Sequence, residues 1–389
     1  GDSVVVYEAV DEREEAEWAV GVVHQLLLSG YRPRDIAILY RTNAMSRQFE
    51  EAFMQAAIPY RIIGGVRFYE RAETKDMLAY LRLLHNPADS LSARRIINKP
   101  PRGIGKTTVE RIEQMAANEG MGFLQACRKM AESDQLRPQN RQALSSFLQL
   151  IDDLREDAQQ LSLSELAKAV AEKTGYLQWL RASSKADDQM RADNVEEFVN
   201  LAADFEKREP RADLASFLEY VALMTDVDEA GDIGDAVALM TLHAAKGLEF
   251  AAVIICGLEE DLFPHERSMG SEEELEEERR LCYVGITRAK ERLFLSHCRY
   301  RTIYGHTTER LPSRFLKELP REHVQIEGVG LFTPSSASRA EGRRHRRIDV
   351  VDILDAGRPS DRTTKKTEST KRTKKVTNSQ APALSLIHI

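Results

Sequence analysis

The sequence predicts an α/β protein in which a parallel-sheet domain is interrupted by an all-helical insertion and followed by a basic, disordered tail. Three observations carry this. The chain opens with a β-α-β pattern, Val4–Tyr7, Glu12–Ser29 and Ile36–Tyr40. From about Ala88 to Gly231 helical patterns follow one another with no clear strand. Apolar strands return only at Val237, so the helical block lies inside a sheet domain.

In the first unit, Ala16, Ala19, Val20, Val23, Leu26 and Leu27 recur at the helical period and Gly30 ends the helix. Ile36–Tyr40 is a continuous apolar run, as a strand buried on both faces requires. Ser46–Gln55 reads as the next helix, and Tyr60–Ile63 as a strand ending at Gly64-Gly65. The helical block reads as Leu91–Asn98, Thr107–Asn118, Gly122–Lys129, Arg141–Gln159, Leu163–Lys173, Leu177–Ala182, Ala192–Lys207 and Leu214–Met224. Turn signals at Thr174-Gly175 and Glu209-Pro210 punctuate it, and the Gly/Asp-rich Asp226–Asp235 is a return linker.

The strands Val237–Thr241 and Ala251–Cys256 flank a small-residue turn that ends in Lys246-Gly247 and carries His243, Lys246 and Glu249. Open α/β sheets bind ligands at strand ends. Glu276–Ala289 reads as a helix with Leu281, Val284 and Ala289 on its packed face. The acidic run Glu272–Glu278 reads as a solvated face suited to the helix dipole. Arg41 directly follows an apolar strand, at another functional edge.

Composition narrows the class. With 42% hydrophobic and 30% charged residues, the chain is of ordinary globular type. Cys127, Cys256, Cys282 and Cys298 show no CxxC spacing and read as buried thiols, not a metal site. No apolar run reaches the roughly 18 residues of a membrane span and no signal peptide precedes the first strand, so a cytoplasmic location with no membrane partner is expected. The net charge is -7, yet Thr333–Ile389 holds 13 Lys+Arg against 6 Asp+Glu, leaving an acidic body of -14. Net charge does not exclude nucleic acid, because phosphate contacts depend on the local field.

Pro100–Thr107, PPRGIGKT, approximates a phosphate-binding G-x-x-x-x-G-K-[ST] loop, but Pro100 replaces its first glycine and the preceding Arg94–Lys99 is not a strand. Arg102, Gly103, Gly105 and Lys106 instead read as a glycine turn at a helix start. Such a turn presents amides to a nucleic-acid backbone without reading sequence.

Taken in order, Ala37–Arg47, Val237–Pro264 and Glu276–Arg292 resemble motifs IV, V and VI of the UvrD/PcrA/Rep class of superfamily 1 DNA helicases, and the resemblance extends from about Gly1 to Pro320. It implies a RecA-like domain 2A in residues 1–90 and 232–322, a helical domain 2B in 91–231 and a tail in 323–389. The implied activity is ATP-dependent 3′→5′ unwinding in DNA repair or replication, with ATP and Mg2+ as cofactors in a bacterial, nucleoid-associated enzyme. Arg41 and Arg288 would be the two arginine fingers on the γ-phosphate, Tyr40 the ring stacked on adenine and Glu249 the ribose contact. Thr241, His243 and Lys246 would face single-stranded DNA. Arg71, in the stretch Gly64–Arg71 that resembles motif IVa, would be a further DNA contact, with Phe68 and Tyr69 packing. The Arg102–Lys106 turn would face duplex DNA.

The Walker A and B motifs and the Mg2+ ligands would belong to N-terminal domains 1A and 1B absent from this chain, leaving the fragment alone inactive. A small domain beyond the C-terminal end would serve repair or transcription partners. The closing LSLIHI, Leu384–Ile389, reads as translated sequencing adapter, so both ends look truncated. Two alternatives stay open. One is a DNA-binding fragment without its own ATPase. The other is a nuclease-coupled recombination helicase, disfavoured because no nuclease carboxylate cluster follows Pro320.

Overall fold

The computed structural model describes residues 3–209, 211–228 and 235–328. Expectations for Ser335–Lys375 and Leu384–Ile389, and for residues 229–234 of the return linker, lie outside the described residues. The described part belongs to one compact unit.

Its elements, in order, are β1 (Val4–Ala9), α1 (Glu12–Leu28), β2 (Ile36–Tyr40), α2 (Ser46–Gln55) and β3 (Tyr60–Ile63), then α3 (Ala72–His85), α4 (Ser90–Ile96) and α5 (Lys106–Glu119). There follow α6 (Phe123–Glu132), α7 (Pro138–Asp157), α8 (Leu163–Lys173), α9 (Tyr176–Arg181), α10 (Ala186–Arg208) and α11 (Leu214–Asp228). The chain then runs through β4 (Val237–Thr241), β5 (Phe250–Ile255), α12 (Glu272–Ile286), β6 (Ala289–Cys298), β7 (Tyr300–Ile303), β8 (His306–Glu309) and β9 (Val324–Gly328).

Seven strands form one sheet in the order β3-β4-β2-β5-β6-β1-β9, and every neighbouring pair is parallel. All five residues of the central β2 are buried, as its unbroken apolar run requires. One face packs Val23, Phe49, Phe53, Leu239 and Ile254 under α1 and α2. The other packs Leu39, Met240, Leu242, Val253, Ile255 and Phe263 under α12. β7 and β8 make a separate antiparallel hairpin. The tail expected from 323 begins with a strand instead, because β9 joins the sheet beside β1 from Val4↔Val324 onward.

Between β3 and β4, among the described residues, lie helices α3–α11, with a third core around Leu81, Phe147, Phe198 and Phe217. They meet the sheet region through buried polar groups. Arg47 of α2, with no exposed surface, pairs with Glu51, with Glu197 and with Asp204, the last two on α10. Asn200 of α10 donates to Thr302 O at 3.1 Å and accepts from Gly305 N at 2.7 Å, holding the hairpin.

The four cysteines are free and buried. Burial pushes the Cys127 and Cys282 thiols up to about 12 and those of Cys256 and Cys298 well above their ordinary range. Cys298 lies close to Glu15 and Glu259, but both carboxylates are on the buried Arg301, at 2.7 and 2.6 Å. That guanidinium fills the place a cation would take, so the cluster does not fit a metal. No helix among the described residues is long and apolar enough to cross a membrane.

Candidate nucleotide and nucleic-acid edges

In a parallel sheet, a residue that follows one strand and a residue that precedes another lie at opposite edges. Arg41 follows β2, and Leu39 of that strand pairs with Ile255 near the end of β5. Arg288 precedes β6, and Phe250 at the start of β5 pairs with Ala289. At about 3.3 Å per residue, the two arginines are separated by roughly 20–25 Å along the strands. That exceeds the combined reach of two arginine side chains, so they do not converge on one phosphate. The helix expected over Glu276–Ala289 hid this. α12 stops at Ile286, and Ala289 is strand, not helix face.

At the amino edge, Phe250 N donates to Arg288 O at 2.9 Å, which sets Arg288 beside the 248–249 segment. Its guanidinium donates to Val284 O (2.9 Å), Leu248 O (3.0 Å) and Thr287 Oγ1 (3.0 Å). These acceptors are neutral, and among the described residues no carboxylate pairs with Arg288. Its charge therefore remains available to an anion. Glu249 is half exposed and lies 3.1 Å from Lys290 Nζ.

At the carboxyl edge, Leu242 N donates to Tyr40 O at 2.9 Å and the Thr241 hydroxyl accepts from Ala244 N at 3.3 Å. The turn continues through Gly247, whose φ of +87° suits glycine. His243 and Lys246 are largely exposed on it, and Thr241 is partly covered. Partial burial and then the neighbouring Arg41 guanidinium hold the His243 imidazole below its ordinary range.

Arg41 itself is occupied. Its Nε donates to Glu278 at 2.9 Å and its Nη2 at 2.7 Å, a bidentate pair largely out of solvent. Glu278, read from sequence as the end of a solvated acidic face, is 6% exposed. Despite burial, its carboxyl is held low by hydrogen bonds from Arg41 and from His265 N.

Two more expected contacts are corrected. Tyr40 has no exposed surface and stacks on Phe49 with ring centroids 6.0 Å apart, so it is a core residue closed to an adenine. Arg71 is 7% exposed and spends its guanidinium on Val66 O, Asn43 O, Asn194 Oδ1 and Ser46 Oγ, so it is a buried tie and not a DNA contact. Phe68 and Tyr69 are buried, as packing residues should be.

The glycine turn divides by residue. Arg102 points inward, donating to Ile96 O, Pro100 O and Tyr80 OH and lying over the Phe147 ring, so it braces the turn and does not offer itself to a phosphate. Gly103, at φ +80°, and Gly105 are exposed, with no atom within 4 Å of either missing Cβ. Gly105 caps α5 without a side-chain acceptor, leaving leading N–H groups open, and the adjacent Lys106 side chain is 91% exposed.

Residues 1–300 match the UvrD-like helicase C-terminal domain, and the chain belongs to that family. ATP-dependent DNA helicase PcrA of Bacillus subtilis (strain 168) is 43% identical to it over 332 residues, which cover 84% of this chain and 45% of that protein. The PcrA of Staphylococcus epidermidis (strain RP62A) is 43% identical over 354 residues, 88% of this chain and 48% of the relative. That of Staphylococcus aureus (strain Mu50) is 40% identical over 336 residues, 85% and 46%. The chain thus spans less than half the length of each of these relatives.

Proposed function

We propose that this chain is the second motor half of an ATP-dependent 3′→5′ DNA helicase, with the sheet elements of residues 1–90 and 232–322 as domain 2A and the helical block, which α3 begins ahead of residue 91, as the inserted domain 2B. The observation that carries the reading is the amino edge: an uncompensated Arg288 set beside an exposed Glu249. Arg288 would hold the γ-phosphate of ATP and Glu249 its ribose. An arginine suits a transferring phosphoryl group because its charge and fork meet the oxygens where negative charge develops. Arg41 and Tyr40 have no part in that site.

At the carboxyl edge, Thr241, His243 and Lys246 would follow the backbone of the tracking strand, while Gly103, Gly105 and Lys106 would hold the duplex. The phosphate-binding loop and Mg2+ ligands would come from further domains of the full-length protein. The near match Pro100–Thr107 runs into α5 with no strand before it, which favours DNA binding without turnover by the fragment alone.

The test is unwinding by the full-length protein of duplexes with a 3′ or a 5′ single-stranded tail. DNA-stimulated ATP hydrolysis with preference for the 3′ tail is expected. No stimulation, or preference for the 5′ tail, overturns the reading.

A further inference from the structure

Arg41, displaced from the nucleotide edge, acquires a different role from its partners. α12 and the loop from Thr241 to Glu249 run side by side across the sheet, joined indirectly through the end of β2 and directly at Gly285 and Arg288. At the carboxyl edge Arg41 grips Glu278, while the preceding Tyr40 O accepts from Leu242 N. α12 also presses directly on the start of the loop, since a Cβ on Gly285 would lie 2.4 Å from Leu242 Cδ2 and 3.2 Å from Ile255 Cδ1. At the amino edge Arg288 reaches Leu248 O.

Glu278, Cys282 and Gly285 are the buried residues of α12, spaced so that they share one face. The helix is therefore anchored near its middle by the ion pair at Glu278 and, one turn before Arg288, by the Gly285 contact. A bidentate pair with both partners largely buried is stiff, unlike an exposed pair that solvent screens. A rigid element held at two points carries a displacement from one to the other.

We propose that Arg41 and Glu278 are positioning residues that transmit occupancy of the 241–247 loop by a nucleic-acid strand to the placement of Arg288. The inference rests on the function proposed above. A strand seated on His243 and Lys246 shifts the loop against Leu242. The clamp makes α12 follow, and α12 carries Arg288 into register with the nucleotide. Without the clamp, both sites remain but answer separately.

The test uses the full-length protein, with ATP turnover measured with and without oligo-dT, oligo-dT affinity by anisotropy and KM for ATP. Arg41→Ala and Glu278→Gln are each expected to cut DNA-stimulated kcat at least tenfold, with basal turnover, oligo-dT Kd and ATP KM within twofold of wild type. The exchanged pair Arg41→Glu with Glu278→Arg is expected to recover stimulation, which mere loss of folding would not allow. Gly285→Ala, which leaves the ion pair in place, is expected to weaken stimulation in the same way. Single variants that keep full stimulation, or an exchanged pair that recovers none, overturn the proposal. A loss of oligo-dT affinity in Arg41→Ala alone also overturns it, by making Arg41 a direct contact. A wild-type protein that DNA does not stimulate instead removes the helicase reading itself.

Discussion

Arg71 Nη1 donates to Asn194 Oδ1 at 2.7 Å, joining the segment after β3 to α10 over a separation of 123 residues. Asn194 in turn donates to Glu73 at 2.7 Å, so the guanidinium is one member of a buried chain of polar groups. Arg71→Ala strands several of these partners without a donor. Stability should fall by about 2–4 kcal/mol, since each buried unsatisfied group costs about 1–3 kcal/mol. Denaturant midpoints check this, and oligo-dT affinity should change less than twofold. Lost affinity at unchanged stability would contradict the buried role.

Arg71 shows where sequence reading reaches its limit. A cation near a motif reads as a contact, but burial is decided by α10, more than a hundred residues away. The missed α3 has a related cause. Glu73, Thr74, Asp76 and the run Met77–Leu81 are all buried, so the helix lacks the one-sided periodicity by which an amphipathic helix is recognised. By contrast, β2, α2 and β3 were legible to within a residue, because Ile36–Tyr40 is uniformly apolar and Gly64-Gly65 closes the strand after Tyr60. The opposite placement of Arg41 and Arg288 was legible in principle. The helix expected over Glu276–Ala289 obscured it, running three residues past Ile286 through the turn at Thr287 and Arg288.

Arg288→Ala in the full-length protein should lower DNA-stimulated ATP turnover by about 10³-fold or more, the range for loss of an arginine that stabilises phosphoryl transfer. Oligo-dT binding should persist. Arg288→Lys should recover little, because an ammonium cannot reproduce the fork. Steady-state ATPase rates and anisotropy titrations separate the two effects, and retained turnover would remove Arg288 from the nucleotide site.

The glycine turn before α5 offers a contrast between charge and backbone. Lys106→Ala should leave stability unchanged, weaken duplex binding and reduce the slope of log affinity against log salt by about one. Gly103→Val puts a β-branched residue at φ +80° and should cost about 1–2 kcal/mol of local strain. Filter binding across a salt series reads the first, and thermal midpoints read the second.

Asp193, on α10 facing Arg267, Glu196, Arg181 and Glu266, has its carboxyl pushed up to about 6, chiefly by burial. Its folded pKa lies above the unfolded value, so the folded state holds the proton more tightly. Stability therefore declines as pH rises from about 4 to 6 and stays reduced above that. Asp193→Asn should flatten this limb and raise stability at pH 7 by about 1–2 kcal/mol, allowing for the partial exposure of the side chain. Denaturation midpoints at pH 4, 6 and 8 check the sign, and equal losses at all three would refute it.

The buried cysteines make the described fold chemically quiet toward thiol reagents. A thiolate is the reactive species, and Cys127, Cys256, Cys282 and Cys298 are all buried with their ionisation suppressed. A single cysteine introduced at an exposed position such as Lys106 would therefore take a maleimide dye alone, with the native residues left in place. Paired dyes at the glycine turn and on the 241–247 loop would report the distance between the two proposed DNA contacts as a strand is bound.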